Sequence, residues 1–145
     1  MTNVRTLPLH FWLAGGLSLI WNAFGAFDYI MTKSGNAQYL AMFTPEQQAF
    51  FASFPWVVEV AWAVGVWGAV AGSVLLLLRN RHAVTAFALS LAGLAVSTVW
   101  QVLLSGADLA GLYGTGAILM NIAIWAVAIA LLFYAWQQGQ AGRIH

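Results

Sequence analysis

Six polar side chains lie within or beside long apolar runs of this sequence, and they are its best candidates for chemistry. They comprise two carboxylates, a phenol and three amides: Asp28, Glu59, Tyr29, Asn22, Gln101 and Asn121. Side chains of these types bind the polar part of a ligand through hydrogen bonds. In apolar surroundings they are tolerated mainly where they face a bundle interior or a wet cavity. The six residues therefore predict a ligand-binding site, without a catalytic group.

Four apolar runs must position these side chains, at about 7–30, 55–78, 83–104 and 112–136. Hydrophobic residues make up 62% of the 145 residues and charged residues 6%, a balance that ordinary water-soluble domains do not show. Each run is long enough to cross a bilayer as a helix, the form that satisfies every backbone group within one segment. We therefore predict an all-α, polytopic membrane protein, a single domain over 1–145 with four transmembrane helices in an up-down bundle.

The basic residues predict the orientation of this bundle. Arg5, Arg79, Arg81 and Arg143 are four of the five Lys and Arg residues, and all four fall in breaks on the same side of the predicted spans. Arginine and lysine are enriched in the cytoplasmic loops of membrane proteins. Both termini are therefore predicted to be cytoplasmic.

The longest break between runs, residues 32–54, is then external and contains a helix signal. Thr44-Pro45-Glu46-Gln47 combines an N-cap, a proline at the first helical position and a glutamine that can close a capping box. The pattern predicts a short, phenylalanine-rich external helix at about 45–53. Two placements fit it equally well: along the membrane interface, or packed against the bundle.

Small and polar residues recur three and four positions apart along the first three runs, and this spacing predicts helix contacts. The recurring positions are Gly15, Ser18, Asn22, Gly25 and Tyr29; Gly65, Gly68 and Gly72; and Ser90, Gly93, Ser97 and Gln101.

The polar residues are concentrated in the outer half of the predicted bundle, which indicates a cavity that opens outward. Asn22, Tyr29, Gln101 and Asn121 are the expected partners of Glu59, unless Lys33 folds back to pair with it. An alternative is that Asp28 and Glu59 lie in the headgroup region and bind nothing.

Several other chemistries have little support in the sequence. There is no cysteine for a disulfide or thiolate site, and the net charge of +1 gives no reason to expect a nucleic-acid partner. Asp28, Glu46 and Glu59 do not form a recognised metal motif, so no metal is predicted. A haem held by His10 and His82 is an open but weak alternative to the absence of any cofactor.

The stretch Trp21-Asn22-x-Phe24-Gly25-x-Phe27-Asp28-Tyr29, the turn at 44–47 and the second run with Glu59 carry a resemblance. They resemble a group of small uncharacterised bacterial four-helix membrane proteins, sometimes labelled sugar transporters. The helix order and Glu59 are also distantly similar to the DoxX-like superfamily. The resemblance implies a bacterial inner-membrane location and supplies no catalytic residue.

Three functions are compatible with these observations. The first is a ligand-binding or transport module, surrounded by membrane lipids and assembled as a homo-oligomer or within a larger complex. Its outward cavity would take a small polar or amphipathic ligand. The second is an accessory or structural subunit of a larger membrane complex, and the third is a membrane-bound redox enzyme.

Overall fold

The structure, a computed structural model, describes residues 6–145, and every regular element in this range is helical. The elements are α1 (Leu9–Lys33), α2 (Ala37–Leu40), α3 (Pro45–Ala52), α4 (Trp56–Leu77), α5 (His82–Val99), a π-helical turn (Trp100–Leu104) and α6 (Leu109–Gln140). The predicted all-α fold is therefore confirmed. Arg5, one of the arginines used to predict the orientation, lies outside the described residues.

Three helical segments in this range are long and apolar enough to cross a membrane. They are α4, α5 together with the π turn, and α6. The remaining long helix, α1, has 25 residues but is interrupted by polar groups such as Asn22 and Asp28. Three of the four predicted spans are thus matched by helices of suitable length and composition.

The N-termini of α3 and α4 follow from local sequence. The Thr44 hydroxyl accepts a hydrogen bond from the Gln47 amide, and the Gln47 side chain accepts one from the Thr44 amide, so the predicted capping box is confirmed. Pro55 occupies the N-cap of α4 in an extended conformation, which ends α3 and begins the next helix.

The long helices pack in chain order, with α4 and α5 as the closest pair, α1 against α4 and α6 against α5. Glycines allow the approach of α4 and α5. A methyl group at Gly68 would lie 3.1 Å from the Ala86 carbonyl oxygen, and one at Gly72 would lie 2.6 Å from the Phe87 ring. The predicted contact role of this glycine stripe is confirmed.

One end of the bundle is closed, and we call it the arginine end because it contains Arg79, Arg81 and Arg143. Its core consists of buried side chains from all four long helices and the C-terminal tail: Phe11, Leu76, Ala83, Phe87, Ala135 and Ile144. The tail is held there by backbone hydrogen bonds between His145 and Arg79 and between Arg81 and His145. Arg79 adopts a positive φ of 60°, and its Nε donates to the Arg143 carbonyl at 3.2 Å.

The opposite end, which we call the α3 end, contains two departures from regular α-helix. The π-helical turn follows α5 directly, and α6 is kinked at Gly114, whose φ of 76° favours glycine. Segments of π-helix occur frequently at functional sites. Here the turn includes Gln101, one of the predicted ligand-binding residues.

Candidate functional site

A cavity of about 610 Å³ lies between α1, α4, α5 and α6, and we call it the central cavity. Its volume is within the range of about 300–1,000 Å³ that is typical of small-molecule sites. Most of the wall is apolar, and Asp28, Tyr39, Ser97, Thr98, Gln101 and Asn121 are among its polar side chains. The structure therefore brings Asp28, Gln101 and Asn121 together around one space, as the sequence predicts.

The rim of the central cavity includes exposed side chains of α1 and α6. Phe24 of α1 is 70% exposed and Met120 of α6 is 54% exposed, although both line the cavity. The opening therefore lies on the side of the bundle, between α1 and α6. The outward direction of the opening stays a prediction.

Three polar side chains of the central cavity have unused hydrogen-bonding capacity. The Ser97 hydroxyl is buried and has no hydrogen-bond partner among residues 6–145. The side-chain amides of half-buried Gln101 and exposed Asn121 also make no hydrogen bond within the described part of the chain. Leaving a buried hydroxyl such as that of Ser97 unpaired is unfavourable. A ligand or water in the cavity would satisfy all three side chains.

Asp28 lies at the α3 end of the central cavity, where Tyr39 covers it. The Tyr39 hydroxyl donates a hydrogen bond to Asp28 Oδ1, which ties α2 to α1. Burial raises the pKa of Tyr39 to about 12, and the hydrogen bond to Asp28 and the charge of Asp28 add to this effect. The phenol is thus held in its neutral, donating form.

The raised pKa of Tyr39 predicts a loss of stability at high pH. An unfolded tyrosine loses its proton near its ordinary pKa of 10.0, whereas folded Tyr39 keeps it to about 12. The stabilisation is fully present below pH 10 and disappears as the pH rises to 12. We expect wild type to unfold at a higher temperature than Tyr39→Phe at pH 9, and this gap to narrow by pH 12. Unfolding temperatures measured in detergent give this gap. The pH-dependent contribution of the other tyrosines cancels because both proteins contain them. A gap that stays constant over this pH range would contradict the prediction.

Aromatic side chains of α3 and of the short segment after it close the α3 end of the bundle. Phe50 packs against Trp100 and Tyr113, each with ring centroids 6.0 Å apart, and Phe54 packs against Trp100 at 5.3 Å. The Gln47 side chain also donates to the Leu112 carbonyl of α6 at 2.9 Å. The structure therefore packs this helix against the bundle, and its position along the membrane interface stays a prediction.

Asn22 and Tyr29 do not line the central cavity, contrary to the sequence-based expectation. Asn22 Nδ2 donates to the Ser73 hydroxyl at 3.0 Å and to the Ala69 carbonyl at 3.2 Å, so its amide joins α1 to α4. Tyr29 packs edge-on against Trp62, with ring centroids 4.9 Å apart. Both residues belong to the face of α1 that contacts α4, whereas the adjacent face, with Asp28, lines the cavity.

Glu59 also lies elsewhere, in a second cavity of about 480 Å³ that we call the Lys33 cavity. Lys33 Nζ and Glu59 Oε1 are 2.7 Å apart, so the expectation of uncharged partners for Glu59 is wrong and Lys33 does fold back. Both side chains are partly exposed, and such ion pairs contribute little to stability. Trp62 lines both cavities and stands between them.

The histidines and carboxylates that could hold a cofactor or a metal lie apart from the central cavity, with the exception of Asp28. His10 Nδ1 is 2.8 Å from the Tyr134 hydroxyl, and the backbone amide of His82 donates to the Asn80 side chain at 2.8 Å. Within residues 6–145, no three His, Asp or Glu side chains are grouped as metal ligands would be. A haem at His10 and His82 stays an alternative to the predicted absence of a cofactor.

Sequence reasoning missed Tyr39 and the cavity-lining role of Trp21 and Trp62. The two tryptophans gave a signal, because both lie deep in apolar runs and need a packing partner or a ligand. Tyr39 gave none, because it reaches Asp28 only after the chain has folded back beyond α1.

Comparisons of this chain with known protein families, with curated proteins and with solved structures find no match.

Proposed function

We propose that this chain is a four-span membrane protein in which α1 is the fourth span and the central cavity binds a small amphipathic ligand. A 25-residue helix is about 37 Å long, which is enough to cross the hydrocarbon core. Helix α1 is less apolar than the other three long helices, and this suits a helix whose polar face lies against α4 and the cavity. The grouping of Arg79, Arg81 and Arg143 supports a cytoplasmic arginine end, as expected in a bacterial inner membrane.

The observation that carries this proposal is the set of unpaired polar groups in a mainly apolar cavity. Ser97, Gln101 and Asn121 offer a hydroxyl and two amides, while the surrounding wall is apolar. A small number of polar groups in an apolar pocket is the usual composition of a small-molecule site. The opening between α1 and α6 would face the bilayer, so an amphipathic molecule could reach the cavity from the lipid.

Filling the cavity tests this function. Ala128 lines the central cavity on α6, so Ala128→Phe places a ring in the space that the ligand would occupy. We expect the affinity for the neutral apolar dye N-phenyl-1-naphthylamine to fall about tenfold or more, equivalent to at least about 1.4 kcal/mol. Energy transfer from tryptophan to the dye measures binding to the protein rather than to the micelle.

The matched control is Ala126→Phe, which adds the same ring at an exposed position of α6 outside the cavity lining. This variant should bind the dye as wild type does. Equal losses in both variants, or no loss in either, would show that the dye does not use the cavity.

An accessory role in a larger membrane complex is a second candidate, and the exposure of α6 favours it. The most apolar stretch of α6 has no buried residue within the described chain, in contrast to α4 and α5. Lipid or a protein partner would then cover this helix. Purification in a mild detergent distinguishes the roles: a stoichiometric foreign subunit supports the accessory role, and a homo-oligomer that binds the dye supports the binding module.

A further inference from the structure

The wall of the central cavity contains an acidic side chain without a basic partner. This wall includes the Asp28 carboxylate and no lysine, arginine or histidine among the described residues. The nearest candidate cation on α1, Lys33, instead pairs with Glu59 in the Lys33 cavity. Tyr39 donates one hydrogen bond to Asp28, but a carboxylate has about four acceptor sites. A carboxyl group in such a wall favours a ligand that brings the cationic partner absent from residues 6–145 of this wall.

Aromatic rings occur in the same wall as this carboxylate. Trp21, Trp62 and Tyr39 all line the central cavity with Asp28. Trp21 is 37% exposed and lies on the α1 side, whereas Trp62 of α4 is held between Tyr29 and Phe54. The face of an aromatic ring attracts a cation, and tryptophan does so most strongly. A carboxylate together with aromatic rings in an apolar pocket is therefore complementary to a bulky, weakly hydrated cation.

We propose that the central cavity is selective for lipophilic cations, with Asp28 as the counter-charge and Trp21 and Trp62 as aromatic contacts. The unpartnered Ser97 hydroxyl, on a residue 7% exposed, provides an independent sign that the wall is built to meet a ligand. This inference rests on the proposed binding function and specifies the class of ligand.

Two probes of equal shape and opposite charge test it: tetraphenylphosphonium and tetraphenylborate. Equilibrium dialysis of the whole protein in dodecyl maltoside gives the affinity for each ion. Each variant is compared with wild type in the same detergent, so that partition of the probe into the micelle cancels. We expect Asp28→Asn to weaken tetraphenylphosphonium binding about tenfold or more, a change of at least about 1.4 kcal/mol, and not to weaken tetraphenylborate binding.

The chain offers a matched control for the removal of charge. Asp108 also lies at the α3 end but lines neither cavity, and asparagine preserves its helix cap on the Gly111 amide. Asp108→Asn should bind both ions as wild type does. The proposal is overturned if Asp108→Asn loses as much phosphonium affinity as Asp28→Asn, or if Asp28→Asn loses none.

A second variant keeps the test valid if Asp28→Asn does not fold. Gln101→Lys places an ammonium group in the wall of the same cavity, so it should weaken phosphonium binding and strengthen borate binding. Unchanged preference between the two ions would overturn the proposal. If wild type binds N-phenyl-1-naphthylamine in the cavity but shows no preference for the cation, the charge selectivity fails while the binding function stands.

Discussion

Gly93→Ala should destabilise the protein by about 3 kcal/mol, near the top of the usual range for overpacking. A methyl group at Gly93 would lie 2.6 Å from the Gly65 amide nitrogen and closer still to the Ala61 carbonyl oxygen. Both atoms belong to the backbone of α4, which cannot rotate away as a side chain can. The two helices must therefore separate. Unfolding in a mixture of dodecyl maltoside and sodium dodecyl sulfate measures the loss.

Two other glycines provide graded controls for this prediction. A methyl group at Gly116 would meet nothing within 4 Å, so Gly116→Ala should leave the stability within about 0.5 kcal/mol of wild type or raise it slightly. A methyl group at Gly15 would lie 2.5 Å from a terminal methyl carbon of Leu77, a flexible side chain, so its cost should be intermediate. Equal effects at all three positions would show that α4 and α5 are not held by backbone contact.

The helices and their contacts were predictable because they depend on periodic patterns. The length of the apolar runs predicted four long helical segments. The spacing of Gly65, Gly68 and Gly72 predicted the face of α4 that approaches α5. The capping box at Thr44 depends on residues three apart in the chain, so it needed no tertiary information.

The cavity was less predictable because it depends on rotation and splay of the helices. Successive residues of an α-helix are turned by about 100°, so a small error in the facing direction exchanges Asn22 for Trp21. The sequence predicts both Asp28 and Tyr29 at the cavity; Asp28 does line it, but Tyr29 packs against α4 instead. Ligand binding by the cavity-lining residues stays a prediction. Binding of N-phenyl-1-naphthylamine and of the two tetraphenyl ions tests it.

The Lys33–Glu59 ion pair could be predicted only as an exception, for a different reason. Lys33 ends α1 and has a long, flexible side chain, so its charge can be placed several ångströms from its backbone position. By sequence position alone Lys33 is distant from Glu59, whereas in the structure Lys33 Nζ lies 2.7 Å from Glu59 Oε1. This pairing leaves Asp28 as the carboxylate available to the central cavity.

Phe11→Ala is expected to produce a loss of similar size, about 3 kcal/mol, at the arginine end. Phe11 is fully buried and belongs to the cluster in which α1 meets Leu76 of α4, Phe87 of α5, Ala135 of α6 and Ile144 of the tail. Removing the ring leaves a cavity, and the side chains around it lose their packing contacts. The expected loss is at the lower end of the range for such changes because lipid lowers the cost of exposing apolar surface.

The position of Phe11 gives this substitution a second expected effect. The closed arginine end fixes α1 relative to α6, and these two helices form the rim of the central cavity. Loosening that end should therefore weaken binding of N-phenyl-1-naphthylamine even below the unfolding temperature. Phe133→Ala is the matched control, because the same ring is removed from a side chain that is 56% exposed. If Phe11→Ala lowers stability but leaves dye binding at the wild-type level, the packing at the arginine end stabilises the fold without setting the shape of the cavity.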